Sequence, residues 1–547
     1  MTNKELADLI FPNVDKTIED YEKIYKNREL KEGTMVTRFA PSPTGFVHIG
    51  NTLQALTDYL LSRNSGGIFF LRNEDTDTKR EVNEAMDKIM DTLDYLGFTP
   101  DEYQYKEDIV GEYGPYIQSK RKEIYHAFIK HLIEIDRAYP CFCTSEELDE
   151  MRKKQEAKKL QPGYYGAWAK CRDLTNEEKA ERIKNGDAFV IRFKSMGNPN
   201  RKIEYHDLVT GIIEFPENNN DMVIMKSGDL LPTYHFAHVV DDHLMKTTHV
   251  IRGQEWLPSV PLHLEMFNAF GFEPPKYIHN SLLLKQDGNS RRKISKRKDP
   301  EALMDYYIEK GYPSVSVIES LMTILNSNYE EWRDANPDKS YLEFEFNPSK
   351  VGTTGALYDL EKLDNISKNI ISKMTKDQVY ELLVKYTEKY DKDFYDIITK
   401  DENYTKEILN IEREQEKPRK DFACMSDVKN SIWYMFDELY SPENYEWMKI
   451  TDIDEIKNIA NTYLNEYYNQ DDDKDTWFNK VKELTDSLGY CSNMKEYKVN
   501  PDAYKGNVAD ISTVLRVALT SKSQTPDLYC IMKLLGKERM EMRINNL

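Results

Sequence analysis

Four segments of the chain carry residue types that could do chemistry. The first is Arg38-Phe-Ala-Pro-Ser-Pro-Thr-Gly-Phe-Val-His-Ile-Gly-Asn51. It joins a short apolar stretch at 35–40 to leucines at helical spacing, Leu53, Leu56, Leu60 and Leu61. In an open α/β sheet ligands sit at the carboxyl ends of strands, and a helix N-terminus offers free N–H groups to phosphate. Gly45 and Gly50 let backbone approach a ligand, His48 can donate to a phosphate oxygen, and Asn51 is placed to cap the helix. The stretch is neither a P-loop nor a G-x-G-x-x-G fingerprint. Alone, it reads more simply as a proline-rich connection with a chance histidine.

The second segment, Arg291-Arg-Lys-Ile-Ser-Lys-Arg-Lys298, has six basic residues in eight. By itself such a run is a solvated or nucleic-acid-facing patch. In a site, its lysines would neutralise a triphosphate as charge moves onto the leaving group. The third, Arg72-Asn-Glu-Asp-Thr-Asp77, places three carboxylates after an apolar run. Glu74 is best placed to meet a ligand, and Asp75 and Asp77 read as helix caps. The fourth is Pro232-Thr-Tyr-His-Phe-Ala-His-Val-Val-Asp-Asp242 followed by Arg252-Gly-Gln-Glu-Trp256. Its Tyr, His and Asp residues suggest a pocket near a strand end, where Arg252 would clamp a carboxylate beside the Trp256 wall. A metal held by His235, His238 and the Asp pair is the weaker reading, because Asp241 and Asp242 are more simply structural.

These segments must be positioned by regular elements. Strand 35–40, a helix ended by Gly66 and Gly67, and strand 68–71 make a βαβ unit and so a parallel sheet. From about 80 to 135 the period is helical. Between 139 and 215 it changes, with strands at 189–193 and 212–215 in a basic, loop-rich insertion. A second α/β stretch runs from 222 to about 277. Beyond 299 the chain turns mostly helical, for instance at 302–309, 366–389 and 527–545. Ahead of all this, Ile18, Tyr21, Ile24 and Tyr25 read as a leading helix laid on the body.

Composition bounds the rest. A chain of 547 residues has room for several domains, and 39% hydrophobic with 31% charged residues excludes wholesale disorder. With 75 Lys and Arg against 95 Asp and Glu the net charge is −20, so any nucleic acid must meet local basic patches. No apolar run reaches the roughly 18 residues of a transmembrane helix, which predicts no membrane partner. The start of the chain has no signal-peptide core. Six cysteines are too sparse for a disulfide scaffold, and the cytoplasm is the expected compartment.

Taken together, the four segments resemble in order and spacing a class I aminoacyl-tRNA synthetase. From about residue 34 onward the chain is similar to the bacterial-type glutamyl-tRNA synthetases. Residues 39–51 resemble the HIGH signature, with Asn51 where the name has a second His, and Lys293-Ile-Ser-Lys-Arg297 resembles the KMSKS signature. The likeness extends to Leu515-Arg-Val-Ala-Leu-Thr520 and Gly536-Lys-Glu-Arg539.

The resemblance implies an α/β Rossmann-like catalytic domain with an inserted α+β domain, followed by an all-α C-terminal half. The expected divisions are a helical extension at 1–33, catalytic halves at 34–135 and 221–300, an acceptor-end-binding insertion at 136–220, a stem-contact helical domain at 301–400 and a helical anticodon-binding domain at 401–547. It implies ATP-dependent ligation of L-glutamate to the 3′ end of tRNA(Glu) through a glutamyl-adenylate, with Mg²⁺ accompanying ATP, by a monomer. By motif, Arg38, Ala40, Ser42, Glu74, Tyr234 and Arg252 would form the glutamate pocket. His48, Gly50 and Lys296 would serve ATP, with Lys293 and Ser295 supporting the catalytic loop. The chain departs from the pattern at His238, where many members carry Asn. Cys141, Cys143, Cys171 and Asp173 stand where some members bind structural zinc. Lys417-Pro-Arg-Lys420 and Trp433-Tyr434 are candidate tRNA contacts. Glutaminyl-tRNA synthetases end in β-barrels, so the helical tail counts against them. The long C-terminal half counts against a shortened tRNA-modifying paralogue, and His48, Lys296 and Arg38 count against an inactive tRNA-binding relative.

Overall fold

The computed structural model describes residues 1–43, 45–77 and 84–547. Thr44 of the first motif and the start of the helical stretch expected from about 80 lie outside the described residues. The chain forms two compact units, 1–307 with 318–359, and 308–317 with 360–547. The division therefore falls inside the segment 301–400 that the resemblance set apart as one domain.

Unit 1 begins with α1 (Asn3–Ile10) and α2 (Ile18–Ile24), each opened by a capping box, Thr2 with Glu5 and Thr17 with Asp20. Tyr21 and Tyr25 are buried in the unit, whereas Ile24 faces solvent. Next, β1 (Val36–Phe39) and β2 (Ile68–Leu71) pair in parallel across the crossover helix α3 (Ile49–Ser65). Gly67 is obligatory at the return, because a Cβ there would lie 1.9 Å from the Met35 carbonyl oxygen.

The region expected to be helical up to 135 is broken. It comprises α4 (Ala85–Leu96), a hairpin of β3 (Tyr103–Tyr105) and β4 (Asp108–Val110), and α5 (Lys122–Glu134). Gly97, at φ 72°, stops α4, and Lys106, at φ 53°, takes the left-handed turn position that folds the hairpin back. Its charged turn hid the strands from a reading based on apolar period.

The insertion holds β5 (Ala138–Cys141), α6 (Ser145–Ala157), α7 (Asn176–Lys184), β6 (Val190–Phe193), β7 (Lys202–Asp207), β8 (Gly211–Pro216) and β9 (Val223–Met225). Strands β5, β6 and β9 form one antiparallel sheet, and β7 and β8 a separate hairpin. The chain then returns to the first fold through α8 (Tyr234–Leu244), β10 (His249–Gly253), α9 (Val260–Phe270) and β11 (Lys276–Asn280), with β10 and β11 parallel. Thr248 N donates to Val36 O at 3.0 Å, which seats β10 beside β1. The result is the Rossmann-like core. The first half of the fourth motif is therefore a helix, α8, while Arg252 lies at the carboxyl end of β10, the strand end that was expected. A hairpin of β12 (Leu283–Asp287) and β13 (Ser290–Lys293) carries the basic motif.

Every named element that lies wholly within unit 2 is a helix. The single helix expected over 366–389 is two, Leu360–Lys373 and Lys376–Tyr390, because Thr375 and Gln378 form a capping box that starts the second. The last helix, Leu528–Asn545, kinks at Gly536. Val379, Leu383, Ile456, Val481, Ile511 and Ile531 are fully buried in the core of this unit. Among the described residues no helix is long and apolar enough to cross a membrane.

Candidate active site

The helix after β1 starts earlier than the sequence suggested. His48, not Asn51, is the N-cap: its Nδ1 accepts from Gly50 N at 2.9 Å. Asn51 falls inside α3, where with Gln54 and Asp58 it makes a polar stripe lining a cavity of about 970 Å³. The i, i+3, i+7 spacing of that stripe is the signal in the sequence that could have placed these three residues on one face of the helix. Asp58 is buried, and neither carboxyl oxygen has a hydrogen-bond partner among the described residues. Burial pushes its pKa well up, against the pull of Arg38.

Arg38, Ala40, Ser42, Glu74, Tyr234 and Arg252 all line this one cavity, together with Trp256. His48, Gly50, Lys293, Ser295 and Lys296 are not among its lining residues; they gather beside it. Lys296 Nζ donates to Phe46 O at 2.7 Å, in the turn before His48. Lys293 pairs at 3.8 Å with Glu255, which does line the cavity. Ser295 N donates to Asp299 at 2.9 Å, and Arg292 grips the same carboxylate at 2.6 and 2.7 Å, so the basic loop is anchored at its far end. Burial, then Lys296 and Lys293, push the His48 pKa down to about 4. The imidazole is neutral at pH 7, and because Nδ1 accepts from Gly50 its proton sits on Nε2.

Beneath the cavity lies a buried charge network. Asp242 accepts from Arg38 Nε at 3.1 Å and from Arg72 Nη1 at 2.8 Å, and also bonds His238 Nδ1. Arg72 Nη2 donates to Glu74 at 2.9 Å. Burial raises the pKa of Asp242, but Arg38, Arg72 and His238 together outweigh it and hold the group well below the carboxylate range. Glu74 moves the other way, because burial outweighs Arg72 and Arg38. Asp241 takes Arg121, Gln118 and Tyr125. Arg121 in turn reaches the Tyr25 hydroxyl, so the leading helices brace this network from behind. Asp75 accepts from Ser119 N at 2.8 Å, capping a distant turn. His238 is fully buried between Asp242 and the Tyr277 hydroxyl and does not line the cavity.

Arg252 is held differently. Its Nε donates to His279 Nε2 at 2.9 Å and its Nη1 to His263 Nδ1 at 3.2 Å, while Nη2 is buried with no partner among the described residues. Tyr234 packs on Trp256 with ring centroids 4.3 Å apart, forming the aromatic wall. A guanidinium that lines a cavity and has no carboxylate partner among the described residues can receive an acceptor from outside the chain.

In the insertion, the thiols of Cys141, Cys143 and Cys171 lie within 4.8 Å of one another, the one metal-capable group found among the described residues. The Tyr164 hydroxyl lies 3.4 Å from Cys141 Sγ and 3.2 Å from Cys143 Sγ. Asp173 does not bring a carboxylate oxygen into the group; Tyr164, which sequence reasoning missed, occupies that side. In unit 2, Lys417 and Lys420 are exposed, Arg419 is tied to Asp421 and Glu412, and Tyr434 is buried.

Residues 34–332 match the family described as tRNA synthetases class I (E and Q), catalytic domain, and residues 503–547 match an anticodon binding domain. The chain is 50% identical to a glutamate–tRNA ligase of Clostridium perfringens (strain 13 / Type A), covering all of both chains. It is 49% identical to that of Clostridium beijerinckii over 100% of this chain and 99% of the other. Among solved structures it is similar to a glutamate tRNA ligase from Elizabethkingia meningosepticum in complex with its amino acid, with a TM-score of 0.75 at 27% identity, covering 94% of this chain and 99% of that one.

Proposed function

The chain belongs to the class I tRNA synthetases for glutamate and glutamine, and from that premise we infer a glutamate–tRNA ligase acting on L-glutamate, ATP and tRNA(Glu). The reaction has two steps. The α-carboxylate of glutamate attacks the α-phosphorus of ATP, which arrives as its Mg²⁺ complex, and pyrophosphate leaves. The 2′-hydroxyl of the terminal adenosine of tRNA then attacks the activated carbonyl, and AMP leaves. Little covalent work falls to the protein, so positioning and charge stabilisation dominate.

The observation that carries the amino-acid assignment is that Arg252 lines the cavity beside Tyr234 with no carboxylate partner among the described residues. A carboxylate would pair with it; a neutral amide would leave the charge uncompensated. Arg38 and Glu74 supply the remaining cation and anion, Glu74 facing the substrate ammonium, while Ala40 and Ser42 close the pocket from the β1 end. His48 donates from Nε2 to a phosphate oxygen at the mouth of α3, where Gly50 lets the nucleotide approach backbone. Lys296, supported by Lys293 and Ser295, exchanges the Phe46 carbonyl for the triphosphate. The all-helical unit 2 supports glutamate over glutamine specificity, because glutaminyl enzymes end in β-barrels, and the match of its residues 503–547 to an anticodon binding domain supports a role there in meeting the anticodon.

Three thiols and a phenol fit zinc in number and softness. Cys141, Cys143, Cys171 and Tyr164 would hold it, and its contribution would be to staple the insertion, with no part in the chemistry. Metal analysis of purified protein tests this, with about one zinc per chain expected. The function itself is tested by charging purified tRNA(Glu) with labelled glutamate and with glutamine. Charging by glutamate alone is expected; charging by glutamine at a similar rate would overturn the assignment.

A further inference from the structure

The arginines at the cavity are not compensated alike. Arg38 is paired with Asp242, and Arg72 with Asp242 and Glu74. Arg252 has no carboxylate within ion-pair distance among the described residues, and its hydrogen bonds go to two imidazoles and, at 3.5 Å, to the Tyr234 hydroxyl. A guanidinium can only donate, so both imidazoles must accept from it, and the direction of every neighbouring bond follows. His279 accepts at Nε2, so its proton is on Nδ1 and is given to Asp207 at 2.6 Å. His263 accepts at Nδ1, so its proton is on Nε2 and is given to His235 Nδ1 at 2.9 Å.

The far end of this chain is pinned by the insertion. Asp207, at the end of β7, uses its other oxygen to accept from Val209 N at 3.0 Å and Thr210 N at 2.9 Å. That fixes the carboxylate, hence the His279 tautomer, hence the plane of Arg252. The Tyr277 ring lies 4.3 Å from the guanidinium carbon and supports it from one side. Burial, reinforced by His238 and Arg252, holds His263 well below the imidazole range, so no second cation forms beside the first.

Histidines are an unusual choice for this task. A carboxylate at either position would fix Arg252 with stronger bonds, yet it would also neutralise it. Neutral acceptors give direction without charge. We propose that His263 and His279 are positioning residues that keep Arg252 oriented but uncompensated, and that this is what makes the pocket accept an anionic side chain and refuse its neutral amide. The proposal rests on the reading of Arg252 as the partner of the substrate carboxylate.

The test is a pair of near-isosteric exchanges in the full-length protein. His263→Asn and His279→Gln keep a neutral acceptor where Nδ1 or Nε2 stood; His263→Asp and His279→Glu add only charge. Amino-acid-dependent ATP–pyrophosphate exchange is measured with tRNA(Glu) present, using glutamate and glutamine. The amides are expected to keep most of the preference for glutamate. The acids are expected to lower it about tenfold or more through the glutamate KM, with the ATP KM unmoved. Equal preference in the acid and amide of each pair would overturn the proposal. Should the acids not fold, His263→Leu decides: a glutamate KM raised about tenfold, restored in His263→Asn, supports the proposal, and an unchanged KM refutes it. Arg252→Gln in the same assay separates the two levels, because an unchanged glutamate KM there would remove the pocket assignment itself.

Discussion

Lys296 Nζ donates to the backbone carbonyl of Phe46 at 2.7 Å, across a sequence separation of 250 residues. The bond joins the basic loop to the turn that leads into α3, bringing the cation that would meet a triphosphate to the helix end that would receive it. Burial lowers the pKa of this lysine, and the charge it carries is held by a carbonyl and not by a carboxylate. A carbonyl is a weak partner that an incoming phosphate displaces easily.

Lys296→Ala is therefore expected to lower the turnover of ATP–pyrophosphate exchange by about 10²–10³-fold, with the glutamate KM changed less than about threefold. Lys296→Arg should recover only part, since the planar fork does not replace a point charge. Steady-state exchange kinetics with each substrate varied in turn would check this. A dominant effect on glutamate KM would place the lysine in the wrong subsite.

His48 does two separable things. Its Nδ1 caps α3, and its Nε2 carries the proton available for donation. His48→Asn keeps a cap acceptor but has nothing at the Nε2 position, whereas His48→Ala loses both. The expectation is that both variants lose about 10²–10³-fold in turnover, while only the alanine variant also loses about 1 kcal/mol of stability. Urea unfolding alongside exchange kinetics would show it; wild-type turnover in His48→Asn would remove the donor role.

Asp242 sits between two buried guanidinium groups, those of Arg38 and Arg72. Buried pairs contribute little net stability as they stand, but stranding one partner is costly. Asp242→Asn is expected to destabilise the first unit by about 3–5 kcal/mol, against less than about 1 kcal/mol for a surface exchange such as Asp149→Asn. Chemical denaturation followed by exchange mapping of residues 36–72 would measure it. A loss no larger than that of the surface exchange would mean that solvent or backbone compensates the arginines.

Much of this was legible before the structure. Strand 68–71 and the glycine stop after α3 were carried by local pattern, because a buried parallel strand is a compact apolar run; the six residues that line the cavity were carried by the resemblance of their motifs. What failed to show were relations between distant residues of like type. His263 and His279 look like ordinary core histidines on an apolar helix and strand, and nothing local says that both point at Arg252. Tyr164 could not be told from other tyrosines of the insertion, while Asp173, two residues after Cys171, fitted a spacing that the fold does not use. His48 capped the helix because its imidazole nitrogen reaches the Gly50 amide, a role the usual cap preferences assign to Asn51.

Acid should unfold the two units unequally. All ten histidines lie within the first 307 residues, so unit 2 has none. Burial pushes His48, His235 and His249 down to about 4 and His238 to about 3, while an unfolded histidine titrates near 6.5. Between those values the unfolded chain binds more protons than the folded one, so stability falls as pH drops from about 6.5 toward 4. Asp58 and Glu74, raised by burial, act in the opposite sense, since they favour the folded state once protonated, but they are fewer. Hydrogen exchange mapped by peptide fragments in moderate urea, at pH 7.5 and at pH 5.0 with intrinsic exchange rates corrected, should therefore show protection lost first around α8, β10 and β11. The helices of 360–547 should hold their protection. Equal loss in both units would mean that these histidines take up protons without unfolding, and that the acid response is set by carboxylates shared across the chain.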